Sequence, residues 1–250
     1  MKKTFFVFIL SFAALTFFSC AGDTGPAGPE GNAGDDGDIK VVFQQGVYPS
    51  AAYTGCEDAY IEAGGNQEMN YGGCDELNAG YYQVISRKRR SFIKFDLSYI
   101  TPANVNVTAA YLKLSFSSSP DIQGTTTITA YAAAKNWQEG GAPCTGTADV
   151  GVSWADYDGS NTWDTAGGDY SAVACSDTKE ISGSPYDFTL TITADTVESW
   201  INDPSANYGM ILKASNESSP GVDNYIRPAS SEHATSGVRP ELTIYYSLPE

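Results

Sequence analysis

The sequence predicts an all-β fold, an antiparallel sandwich with one short helix. Three observations predict it. From Lys40 onward, apolar and polar residues alternate in short runs. Gly, Pro, Asn and Asp punctuate those runs, and one segment alone spaces its apolar residues as a helix does. Composition agrees, since 250 residues that are 42% hydrophobic and 18% charged can bury one sizeable core.

The elements follow in order. Met1-Lys2-Lys3 is a short basic stretch, and Thr4 to Phe18 is an apolar run. That run is too short for the ~20 residues of a membrane-spanning helix, so residues 1–19 are expected to be a signal peptide. Ser19-Cys20 closes it and resembles a bacterial lipobox, in which the cysteine takes a diacylglycerol and becomes the mature N-terminus. Cys20 is therefore the expected lipid attachment, and its acyl chains the only membrane contact. Residues 20–39 are read as a tether. From Gly22 to Ile39 they form six triplets with Gly at every third place, the period of a collagen triple helix. The tract could trimerise the chain or stay a solvated acidic spacer; the spacer is the preferred reading.

Residues 40–250 are expected to form the sandwich. Ser91 to Leu97 places Ile93, Phe95 and Leu97 on one face, and Ala110, Leu112, Leu114 and Phe116 do the same in the next run. Thr125 to Ala132, Tyr186 to Thr193, Tyr208 to Ala214 and Leu242 to Ser247 are further strands. Between Thr193 and Pro204, Val197, Trp200 and Ile201 recur at helical spacing behind a capping residue, which predicts a short helix packed through Trp200. Of the five cysteines, Cys56, Cys74, Cys144 and Cys175 are expected to form two disulfides. The local pairs, Cys56 with Cys74 and Cys144 with Cys175, are preferred among the three possible pairings.

Charge and motif narrow the function. With 30 acidic against 14 basic residues, a net charge of −16 makes nucleic acid an unsuitable partner. A single histidine excludes His-cluster metal sites. The stretch Asp156 to Asn161 resembles half a calcium loop, but its glycine comes too early, so no metal and no cofactor are predicted. No nucleophile elbow, P-loop or dinucleotide fingerprint occurs, and no catalysis is predicted.

One cluster stands out. Arg87, Lys88, Arg89, Arg90 and Lys94 concentrate five of the 14 basic residues within eight positions. Alternation turns Arg90, Phe92 and Lys94 away from the core, and if the next strand aims Leu112 and Leu114 inward, Tyr111 and Lys113 share that outer face; Arg87 joins Arg90, Lys94, Tyr111 and Lys113 in the candidate set. Cations flanked by aromatic rings suit an acidic polysaccharide, and these five residues are the predicted glycan site. The alternative is that the charges only balance nearby acids or protect an edge strand. Trp137, Trp154 and Trp163 offer a stacking platform or, as preferred here, anchors for a long loop.

Several stretches together resemble the DNRLRE domain family. They are Asp58-Ala59-Tyr60-Ile61, Asn70-Tyr71-Gly72, Arg90 to Leu97, Ala109 to Leu114, Trp137, Val152-Ser153-Trp154, Gly167-Gly168-Asp169-Tyr170, Asn207-Tyr208-Gly209, Ser230-Ser231-Glu232 and Arg239 to Thr243. The resemblance spans about Val47 to Tyr246. It implies a jelly-roll-like β-sandwich of secreted and surface proteins, acting in some members as a non-catalytic carbohydrate-binding module. The expected protein is thus a bacterial cell-surface lipoprotein that binds extracellular polysaccharide. The alternative is a structural or adhesive surface protein, trimeric through the Gly-Xaa-Yaa tract.

Overall fold

The computed structural model describes residues 38–249, apart from 102–103, 118–124, 184–185, 219–220 and 222. The expected signal peptide, Cys20 and all but the end of the tether lie outside the described residues. The chain begins with β1 (Ile39–Gln44), β2 (Cys56–Glu62), the two-residue β3 (Met69–Asn70) and β4 (Ala79–Tyr82). Next come β5 (Arg87–Phe95), β6 (Asn106–Ser115) and β7 (Thr126–Ala133), where the alternation is plainest. A long connection carrying β8 (Thr147–Ala148) leads to β9 (Tyr170–Ile181) and β10 (Asp187–Ile192). Helix α1 (Ala194–Asn202), β11 (Met210–Ala214), β12 (Asn224–Ile226) and β13 (Glu241–Ser247) complete it. The predicted all-β sandwich with one short α-helix is the fold observed.

The strands form two facing layers. In the first the order is β1-β13-β6-β10; in the second it is β9-β7-β11-β5-β4-β12, with β2 also on β5. The layers are joined where Ile192 of β10 meets Ser176 of β9. Residues 89 of β5 pairs with both Glu62 and Gly80, and residues 91–93 pair with both β2 and β11. β2 therefore runs along one edge of β5, while β11 and β4 follow one another along the other. Phe43, Ile93, Leu112, Leu114, Ile128, Leu190, Met210, Leu242 and Ile244 fill the space between the layers and are fully buried. Each such side chain contributes ~1.5–3 kcal/mol of transfer free energy.

Helix α1 starts at its predicted place. Thr193 stands at the N-cap, but its hydroxyl bonds the Thr196 hydroxyl at 2.7 Å, and Asp195 in the first turn complements the helix dipole. Val197, Trp200 and Ile201 are buried, and Glu198 accepts the Val107 N–H at 3.0 Å at the start of β6.

Two expectations are corrected. Strands β5 and β6 are not neighbours: the segment between them crosses from one layer to the other, so the pairing that would unite Arg90 and Lys94 with Tyr111 and Lys113 does not form. The local disulfides do not form either. Cys74 bonds Cys144 across 70 residues, with their Cα atoms 4.5 Å apart, and Cys56 and Cys175 are buried thiols. The reason is topological. Cys56 on β2 and Cys175 on β9 face the core between the layers, whereas β3 pairs with β8 and brings Cys74 beside Cys144.

Candidate functional site

The five predicted glycan-site residues fall in three places. Alternation along β5 sends Arg87 and Arg89 to the side of Ile93, and Arg90 and Lys94 to the opposite side. Arg87 and Arg89 both bind Glu62, with Arg89 Nε donating at 2.7 Å. Arg89 also lies over the rings of Tyr60, Tyr82 and Tyr225 at 5.0–6.0 Å. Two guanidiniums on one carboxylate leave a positive excess, and Lys88 beside them is exposed. Arg89 was missed by the sequence reading although it shares Arg87's parity, the signal that would have found it. Arg90 is buried, donates twice to Glu217 at 2.7 and 2.8 Å and once to the Gly167 carbonyl at 2.6 Å. Tyr111 and Lys113 lie on the outside of the other layer, where Tyr111 meets Tyr245 edge-on and Lys113 reaches Asp187 at 3.5 Å.

The face under Arg90 is not open. The connection between β7 and β9 folds over it, and Trp137, Trp154 and Trp163 pack with Phe92, Ile61 and Ile211 into a second core. Trp137 donates to the Tyr208 carbonyl at 2.7 Å and Trp163 to the Ser153 carbonyl at 3.0 Å. These rings are anchors, with no face left for a sugar. Gly167, at φ +95°, lies so close that a Cβ would meet Trp154 at 2.6 Å and Arg90 at 2.8 Å.

Lys94 borders a cleft. Its Nζ pairs with Glu57 at 2.8 Å, directly across the β2–β5 ladder, and lies 5.2 Å from the Trp137 ring centre. The cleft of about 410 Å³ beside it is lined by Glu57, Asp96, Asn136, Trp200 and Asn207. Asn207 is held in place by donating to the Phe95 carbonyl at 2.8 Å, and the Gly209 N–H donates to its Oδ1 at 3.1 Å. Asp96 and Ser98 also border an open groove of about 660 Å³ carrying Tyr53 and Tyr99, the latter 62% exposed. Cleft and groove therefore adjoin at Asp96 and Ser98, and both present polar groups beside aromatic rings.

Behind this wall lies a feature that sequence reading did not find. Asp58, Glu139 and Glu232 come from β2, the β7–β9 connection and the segment after β12, and offer oxygens within 4.8 Å of one another. The Asp58 N–H, on the free edge of β2, donates to Glu139 Oε1 at 2.7 Å, and the Ser231 N–H donates to Asp58 Oδ2 at 2.8 Å. Burial, then Glu232 and Glu139, push the Asp58 carboxyl well above its ordinary range. Glu139 is pushed up to about 8, again chiefly by burial.

Residues 49–144 match the model of carbohydrate-binding module family 96. The matched stretch begins before β2 and ends at the bridged Cys144, and so holds Glu57, Lys94, Asp96 and Asn136 of the cleft. No curated protein matches the chain. The match supports a carbohydrate-binding β-sandwich.

Proposed function

We propose that the chain is a non-catalytic carbohydrate-binding module of the DNRLRE type, and that it holds polysaccharide in the cleft beside Lys94. The observation that carries this reading is the cleft and its adjoining groove, where Asn136, Asp96, Glu57 and Lys94 supply hydrogen-bonding groups and Tyr53 and Tyr99 supply rings. Sugar sites combine these two chemistries, since rings cover the apolar faces of a pyranose while polar groups take its hydroxyls. Two carboxylates against one ammonium make the cleft better suited to neutral sugars. The acidic polysaccharide expected from the sequence draws its support elsewhere, at Arg87, Lys88 and Arg89, where positive charge exceeds Glu62.

Affinity electrophoresis against neutral and uronate polymers tests both. Lys94→Met keeps the aliphatic stem over Trp137 while removing the charge. Combined with Asn136→Ala it should weaken retention by neutral polymer about tenfold, the value of roughly 1.4 kcal/mol for two lost hydrogen bonds. Arg87→Ala with Lys88→Ala should leave that retention unchanged and lower only retention by uronate. Retention by no polymer would sink the proposal.

The location belongs to the same proposal. The apolar leader, Cys20 and the glycine-rich tether support an exported lipoprotein held at the bacterial surface, with monomer favoured over trimer. Intact-mass spectrometry of the membrane fraction should show a chain beginning at acylated Cys20; a chain retaining residues 1–19, or beginning at unmodified Cys20, would refute it.

A further inference from the structure

We infer that Asp58, Glu139 and Glu232 bind one calcium ion, which ties the free edge of β2 to the two loops that carry the glutamates. The inference stands independently of the carbohydrate reading. Three carboxylates with oxygens within 4.8 Å of one another repel unless a cation or a proton joins them. Asp58 is 1% exposed, and its Oδ1 is buried without a hydrogen-bond partner. An ionised oxygen in that state costs several kcal/mol, so it calls for a ligand.

Among the described residues, three cations of the surrounding segments have other partners. Lys94 is engaged by Glu57, Arg227 pairs with Glu76 at 3.5 Å, and Arg239 donates to the carbonyls of His233 and Gln45 at 2.8 and 2.9 Å. Each carboxylate is also fixed through one of its oxygens. Asp58 Oδ2 accepts from Ser231 N–H, Glu139 Oε1 from Asp58 N–H, and Glu232 Oε1 from the Ser231 hydroxyl at 2.7 Å. Ligands pre-set in this way lose little entropy on closing around an ion. Glu232 is exposed and gives the ion a route from solvent.

The donor chemistry selects the ion. All three ligands are carboxylates, which suit a hard cation, and zinc would draw His or Cys. Calcium accepts six to eight oxygens in irregular geometry, the remainder here being backbone carbonyls or water, whereas magnesium demands a near-octahedral shell.

Calorimetry and thermal unfolding of the full chain, stripped with EDTA and titrated with calcium chloride, test this. One ion per chain should bind, and the melting temperature should rise by several degrees. Glu232→Gln should weaken binding by about tenfold or more with an unchanged circular-dichroism spectrum, and Asp58→Asn should abolish it. Absence of binding at millimolar calcium would overturn the inference, as would wild-type affinity in Glu232→Gln. Because Glu232 is exposed, that variant decides even if Asp58→Asn fails to fold.

Discussion

Arg90→Ala is expected to destabilise the protein by about 3–5 kcal/mol, the usual cost of removing one partner of a buried, hydrogen-bonded ion pair. Arg90 and Glu217 are both mostly shielded, with side chains 10% and 15% exposed, so solvent screens them little. The pair is bidentate, and the third guanidinium bond reaches Gly167. The Arg90 guanidinium also lies 4.8 Å from the Trp154 ring centre and 5.7 Å from that of Tyr170. Truncation thus strands Glu217, frees the Gly167 carbonyl and removes a packing surface from the second core. Arg90→Lys should recover little of the loss, because an ammonium cannot reproduce the planar fork. Urea unfolding measures it; a loss under 1 kcal/mol would mean that the pair behaves as a surface ion pair.

That expectation reverses the role read for Arg90 from sequence, and the reversal has a specific cause. Alternation in β5 correctly placed Arg90, Phe92 and Lys94 on the face opposite Ile93 and Phe95. It could not show what covers that face. The partner carboxylate is 127 residues away, and the covering tryptophans arrive with the β7–β9 connection. Local pattern fixes the face of a strand but not the layer it joins. Consecutive β5 and β6 therefore looked like neighbours when they belong to opposite layers. Strand β9 was missed because Tyr170 to Ala174 turns mostly exposed residues outward, so its pattern lacks a clean apolar stripe. Strands β6, β10 and β13 and helix α1 were legible because each has one wet side and one dry side, and β5 because its residues alternate although both of its faces are covered.

The carboxylate cluster was illegible for a related reason. Asp58 and Glu139 lie 81 residues apart and meet only because β2 is an edge strand whose free N–H groups need acceptors. The stretches that carry the family resemblance converge there nonetheless: Asp58 opens one, Asn70 another, and Ser230-Ser231-Glu232 a third. Asn70 is fully occupied, donating to the carbonyls of Glu139 and Val152 at 2.6 and 2.8 Å while Gly72 and Ala142 donate to its Oδ1. Its four bonds lay the Glu139 loop against β2. Gly72 permits the approach, since a Cβ there would fall 2.1 Å from the Glu139 carbonyl oxygen.

The same loop sets the expected effect of the disulfide. A bridge closing 70 residues restricts the unfolded chain by about 4 kcal/mol in the chain-entropy account. The native loop has other holds, namely the four bonds of Asn70, the β3–β8 pairing and the Gly73 N–H donating to the Ala142 carbonyl at 2.7 Å. Removal of the bridge should therefore act on the unfolded state while leaving the folded one in place. The Cys74→Ser, Cys144→Ser variant should lose about 3–4 kcal/mol in guanidinium unfolding, fold more slowly, and keep its native spectrum and calcium affinity. Thiol labelling supplies the check on nativeness. Burial pushes Cys175 up to about 12 and Cys56 well above its ordinary range, so both should stay unlabelled until the chain unfolds. Rapid labelling of Cys56 in the folded variant would show instead that the bridge holds the native loop over β2, because that loop closes the edge on which Cys56 and Asp58 stand.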